Sequence, residues 1–69
     1  MKKPKFAEQL KFLREDEGLS QNDFAKLLNI SKQTVSAWER GTQETDYETL
    51  IKIALFFNVS VDYLLGLVD

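Results

Sequence analysis

The sequence contains no cysteine and no histidine. Without cysteine there is no disulfide framework and no thiolate chemistry, and without either residue there is no zinc finger and no imidazole acid or base. No apolar run approaches the roughly 20 residues needed to cross a bilayer, and the opening MKKPKFAEQL lacks the apolar core of an export signal. A reducing cytoplasm is therefore the expected compartment. Strand-like alternation, low-complexity tracts, linkers and internal repeats are also missing. So is a surplus of basic charge: nine Lys and Arg stand against eleven Asp and Glu, a net of −2.

What is present is a small chain of 69 residues, close to the lower limit at which a domain buries enough surface to fold without staples. Its centre is LSQNDFAKLLNISKQTVSAWERG, from Leu19 to Gly41. Ser20 with Asp23 three positions on makes a capping box, and Leu19 and Phe24 stand at the positions of a hydrophobic staple. The same grammar repeats at Ser31, flanked by Ile30 and Val35. Between the two helix starts lies Asn29, a residue that tolerates the left-handed backbone of a helix end and so permits a tight corner. Gly41 closes the second helix.

That second helix is two-faced. Val35 and Trp38 point to a core, and Lys32, Gln33, Ser36 and Arg40 form a polar stripe opposite. A helix-turn-helix presents its second helix to the DNA major groove. Gln33 suits paired contacts to adenine, Lys32 donates to guanine, and Ser36 is short enough for close approach. Trp38 has a competing reading as a base-stacking platform, but its spacing from Val35 favours the core.

The rest of the chain reads as support. Pro4 suits a first turn, and Phe6, Leu10 and Leu13 recur on one side of a helix reaching about Glu17, where Gly18 stops it. Glu15, Asp16 and Glu17 are consecutive, point in different directions and read as a solvated helix end. Phe24, Ala25, Leu27 and Leu28 are expected to supply the buried side of the next helix. Asp46 caps a helix from Tyr47 through Phe57, with Leu50, Ile51, Ala54 and Phe57 at helical spacing, and Asn58 closes it. Ser60 caps a last helix, with Val59 and Leu64 in staple positions and Gly66 beyond. The expectation is an all-α domain of five helices covering residues 1–69, with its helix-turn-helix at about 20–40.

These motifs resemble the Xre/Cro/C-repressor family of bacterial and phage regulators, with their lambda-repressor-like fold. The resemblance lies in Ser20-Gln21, Phe24-Ala25, Val35-Ser36 and Trp38-Glu39-Arg40-Gly41, and in NVSVDYLLG from Asn58 to Gly66. It implies that Gln21 braces the recognition helix and touches a phosphate, that Lys32, Gln33 and Ser36 face bases, and that Thr34 and Arg40 lie near the DNA backbone. The loop after Gly41 would follow that backbone, with its phosphate contacts left to Thr42, Gln43 and backbone amides because Glu44 opposes them. Arg14 would pair with Glu39 beneath the recognition helix. The sequence departs from the family at Phe24, more often leucine, at Phe12, Leu55 and Phe56, more often polar, and at Asn29, where glycine is common.

The function implied is sequence-specific binding of double-stranded DNA by a transcriptional regulator that occupies an operator, without catalysis, cofactor or small-molecule ligand. The alternative is a protein-interaction module on the same fold, such as an antitoxin or bridging factor, for which the net charge and the extra apolar residues speak. Charge is unevenly distributed, however, with Lys2, Lys3, Lys5, Lys32 and Arg40 at the N-terminal end or on the recognition helix and Glu44, Asp46, Glu48, Asp62 and Asp69 after Gly41. The run Ile53 to Phe57 is apolar all round a helix. Either the last helix covers Leu55 and Phe56 through Val61, Leu64 and Leu65, or a second subunit does. In the second case the resemblance implies pairing near the start of the last helix, so that Val61 and Tyr63 join Leu55 and Phe56 in a homodimer interface, which sets recognition helices about 34 Å apart for an inverted-repeat operator.

Overall fold

Four of the five helices start on a side chain that takes the free amide of the first turn. In the computed structural model, which describes residues 5–68, these caps are Ser20 for α2 (Gln21–Leu28), Ser31 for α3 (Lys32–Arg40), Asp46 for α4 (Tyr47–Phe57) and Ser60 for α5 (Val61–Leu64). The cap bonds are 2.8–3.1 Å long, and each contributes about 1 kcal/mol. Asp23 returns a bond to the Ser20 amide at 3.4 Å, completing the capping box. Hydrogen bonding by Thr49 holds the Asp46 carboxyl below the usual carboxylate range.

The exception is α1 (Phe6–Asp16), whose N-cap Lys5 makes no side-chain cap bond. Its backbone amide instead donates to the Leu65 carbonyl at 3.0 Å, and Gln9 Nε2 donates to the Tyr63 carbonyl at 3.2 Å. Both bonds tie α1 to α5. Gly66 lies against the same place with φ of 75°, and a Cβ there would stand 2.7 Å from Lys5 Cβ. Its lack of a side chain therefore serves close approach of the two chain ends as well as the turn. The expected start of α1 at Pro4 falls outside the described residues, as do Lys2, Lys3 and Asp69; the helix ends at Asp16, with Glu17 as its C-cap.

Asn29 and Asn58 both adopt the left-handed conformation (φ 58° and 56°). At each corner the next residue's amide returns to the preceding helix, Ile30 to the Ala25 carbonyl at 2.9 Å and Val59 to the Ala54 carbonyl at 3.0 Å. These bonds satisfy carbonyls that a helix end leaves free. The second corner, unlike the first, joins α4 to the short closing helix.

The core gathers one face of every helix: Leu10 from α1, Phe24 and Ala25 from α2, Val35 and Trp38 from α3, Leu50, Ile53 and Ala54 from α4, and Leu64 from α5. All three staple pairs lie in or against it, since Leu19, Ile30 and Val59 pack on its edge while Phe24, Val35 and Leu64 are fully buried. Two expected core residues are not there. Leu27 is 59% exposed and Ile51 51% exposed. At 100° per residue, Phe24, Ala25 and Leu28 define an inward face from which Leu27 is turned by roughly 110°. The same arithmetic puts Leu50, Ile53, Ala54 and Phe57 on one side of α4 and Ile51 roughly 110° away. Ile53 takes the place expected for Ile51.

Candidate nucleic-acid interface

Beneath α3 lies the one buried charge network among the described residues. Arg14, on the last turn of α1, donates from Nε and Nη2 to the two carboxylate oxygens of Glu39 at 2.7 and 3.0 Å, a bidentate pair. Its remaining Nη1 reaches the Leu19 carbonyl at 2.6 Å, in the segment that leads into α2. Gln21 completes the network by donating to Glu39 Oε1 at 3.1 Å. One carboxylate on α3 is thus held from both α1 and α2. The hydrogen bonds to Glu39 push the Arg14 pKa above its already high value, against the cost of burial. This is the pairing implied for Arg14 and Glu39, and the brace implied for Gln21.

A helix fixed this firmly on its inner side presents its outer side without ambiguity. Val35 is fully buried and Trp38 nearly so, with the Phe6 ring edge-on to the indole at 6.0 Å. Trp38 is therefore core and offers no face for base stacking. Lys32 and Gln33 are exposed at the start of α3, Ser36 is half-buried one turn on, and Arg40 is exposed at the end. The four side chains line one shallow concavity of about 140 Å³. The residues expected to face bases are thus brought together.

Arg40 is the unexpected member. Expected by resemblance at the DNA backbone, it instead donates from Nη1 to Ser36 Oγ across one turn. The i, i+4 spacing of Ser36 and Arg40 permits such a contact without singling it out. Arg14 to Leu19 and Gln9 to Tyr63, by contrast, carry no sequence signal, because they end on backbone carbonyls.

The expected backbone-contacting residues divide. Thr34 shares a 2.8 Å hydrogen bond with the Ser31 hydroxyl, and Thr42 Oγ1 donates to the Ala37 carbonyl at 3.2 Å, so both hydroxyls are already engaged in holding the ends of α3. Gln43 stands exposed on the rim of a second, wider groove that Thr34, Trp38, Glu44 and Asp46 also line. The two carboxylates make that groove a poor neighbour for phosphate. Trp38 Nε1 is buried there without a hydrogen-bond partner.

On the far side, Leu55 is 75% and Phe56 42% exposed. Coverage by α5 is accordingly not what this fold provides. Val61 and Tyr63 are half-buried on α5, and the Tyr63 carbonyl is occupied by Gln9.

A helix-turn-helix with a firmly seated second helix and a free, donor-rich polar face defines the class of regulator domains that read DNA through one helix. The helix-turn-helix family profile matches residues 10–64, and the chain belongs to the Xre/Cro/C-repressor family of helix-turn-helix transcriptional regulators. It is 43% identical over 60 residues to the HTH-type transcriptional regulator YqaE of Bacillus subtilis, covering 87% of this chain and 52% of YqaE. The chain thus spans about half the length of that relative. A transcriptional regulator from Listeria innocua superposes with a TM-score of 0.89 and 37% identity, covering 99% of this chain and 64% of that one. The DNA-binding domain of the P22 c2 repressor does so with 0.80 and 28%, covering 94% and 86%. The fold also occurs inside an enzyme, hydroxypropylphosphonic acid epoxidase from S. wedmorenis, with a TM-score of 0.81, 34% identity and coverage of 91% and 34%.

Proposed function

We propose that this chain binds double-stranded DNA sequence-specifically and regulates transcription by occupying an operator, with α3 in the major groove. The observation that carries the proposal is the pairing of a recognition helix locked from behind by Arg14, Glu39 and Gln21 with an outer face of Lys32, Gln33 and Ser36 gathered around one concavity. Lys32, Gln33 and Ser36 read bases; Gln21, Thr42 and the backbone amides around them lie toward the phosphates, and Thr34 and Gln43, which share a groove with Glu44 and Asp46, add only weak contacts there. The role is one of binding alone, without catalysis or cofactor, in the cytoplasm. That two-thirds of the epoxidase chain lies outside the match agrees with this, since the shared part is the helical domain. With a net charge of −2, affinity per subunit is modest and salt dependent.

Gln33→Ala is expected to weaken binding to the preferred site by about 1–3 kcal/mol and to leave binding to random duplex nearly unchanged, because base contacts carry sequence information and phosphate contacts do not. Fluorescence anisotropy on both duplexes at two salt concentrations measures this. An equal loss on both places Gln33 at the backbone instead.

Two copies acting together follow from the same reading. Leu55 and Phe56 leave apolar surface in water, and pairing through them with Val61 and Tyr63 places two recognition helices about one DNA turn apart. Each bound half-site then raises the effective concentration for the other, which offsets the weak electrostatics. Phe56→Lys and Tyr63→Ala are expected to weaken self-association and lower operator affinity while the domain stays folded. Sedimentation at rising concentration is the check: a monomer at hundreds of micromolar, with one subunit per operator, contradicts the pairing.

A further inference from the structure

We infer that Arg40, held across the face of α3 by Ser36, is a base-reading and specificity-determining residue that recognises a guanine, rather than a phosphate anchor. The inference rests on the proposed placement of α3 in the major groove.

Three observations lead to it. The first is position: Arg40 Nη1 donates to Ser36 Oγ, so the guanidinium lies back over the groove-facing stripe instead of reaching outward from the helix end. The second is company, because Arg40 closes the concavity whose other walls are Lys32, Gln33 and Ser36. The third is donor chemistry. The other charged side chain of that turn, Glu39, is buried with its two oxygens taken by Arg14 and Gln21, so no carboxylate on α3 competes for the guanidinium. A guanidinium carries five N–H donors in a rigid fork. One bond to Ser36 leaves a fork free, and its match in the major groove is guanine O6 with N7.

Ser36 changes character in the same contact. Accepting from Arg40 leaves its own proton to be given to a base. Lys32 and Arg40 are donors only. Of the four side chains around the concavity, Gln33 alone keeps an unengaged carbonyl-type acceptor. The face is therefore biased toward base edges rich in acceptors, with Gln33 as the single adenine reader. Ser36 acts on Arg40 as a positioning residue.

The test starts from the site that wild-type protein selects from random duplexes and compares it with the same duplex carrying 7-deazaguanine in place of each guanine in turn. Wild type is expected to lose about tenfold at the guanine that Arg40 reads, separately from any guanine that Lys32 contacts. Arg40→Lys, which keeps the charge and loses the fork, and Ser36→Ala, which removes the tether, are expected to bind both duplexes within about threefold of each other, while Arg40→Lys still binds random duplex as wild type does. Arg40 is a phosphate anchor, and the inference is overturned, if both variants keep the wild-type discrimination at every guanine. It is equally overturned if Arg40→Ala lowers binding to all duplexes by one common factor. Selection of no site by wild type removes the underlying DNA reading, which is a different result from a selected site whose guanines are insensitive to Arg40.

Discussion

Arg14→Met destabilises the domain by about 3–5 kcal/mol, more than the double variant Arg14→Met/Glu39→Leu. The side chains of Arg14 and Glu39 are 9% and 4% exposed, so the carboxylate left behind is a buried charge. It retains Gln21 as a donor, but a neutral amide cannot offset its desolvation. Replacing both partners by apolar groups of similar volume removes the charge together with its compensation, which is why the double variant is the more stable. At about 0.05–0.15 kcal/mol per residue the total stability of a domain this size is about 3–10 kcal/mol, so Arg14→Met lies near the edge of unfolding at ordinary temperature. Thermal melts of the two single variants and the double variant decide. Simple additivity of the losses means that the network is a surface arrangement, and the account of how α3 is seated fails with it.

Phe24→Ala costs about 3–5 kcal/mol, and Phe24→Leu, the residue more usual in the family, costs less than half of that. Phe24 is fully buried and is the hub of an aromatic cluster, stacked on Phe57 at 5.4 Å and edge-on to Phe56 at 5.7 Å, with Phe56 and Phe57 themselves perpendicular at 4.9 Å. Leucine fills most of the space and forfeits the ring–ring geometry, worth about 0.5–1.5 kcal/mol for each such pair. The departures from the family pattern at Phe24 and Phe56 are thus one feature: each ring supplies the other with a partner. Urea denaturation of both variants measures the difference: a leucine midpoint equal to that of wild type means that the cluster contributes nothing beyond filling space, and a leucine midpoint as low as that of alanine contradicts the ranking. Phe56→Lys keeps the chain folded because Phe56 is exposed and outside the buried core, at the cost of its two ring contacts with Phe24 and Phe57.

Much of the fold was legible because helix ends are written in local chemistry. Serine or aspartate three residues before a free amide, asparagine or glycine at a left-handed corner, and apolar residues flanking each cap placed the starts of α2 to α5 and both tight corners. Leu27 and Ile51 were misplaced by counting apolar residues at helical spacing without fixing the phase; in a helix with apolar residues on several sides, only packing against a neighbour settles which face turns inward. The identity of the α3 stripe was legible for the same reason, since Val35 and Trp38 set its phase unambiguously. Where Arg40 lies was not, because a long flexible side chain at a helix end has several partners in reach and the sequence does not rank Ser36 against a phosphate. Nor did any pattern announce the bonds from Lys5 and Gln9 to α5, which join residues far apart in sequence through backbone carbonyls.

Selection from a pool of random DNA duplexes by the wild-type chain, at low salt and again at physiological salt, tests the DNA-reading assignment most directly. Enrichment of an inverted repeat, with half-sites about one helical turn apart and with one position in each half-site that Gln33→Ala no longer distinguishes, is the expected result. No enrichment of any sequence at low salt, where backbone contacts alone retain DNA, contradicts it.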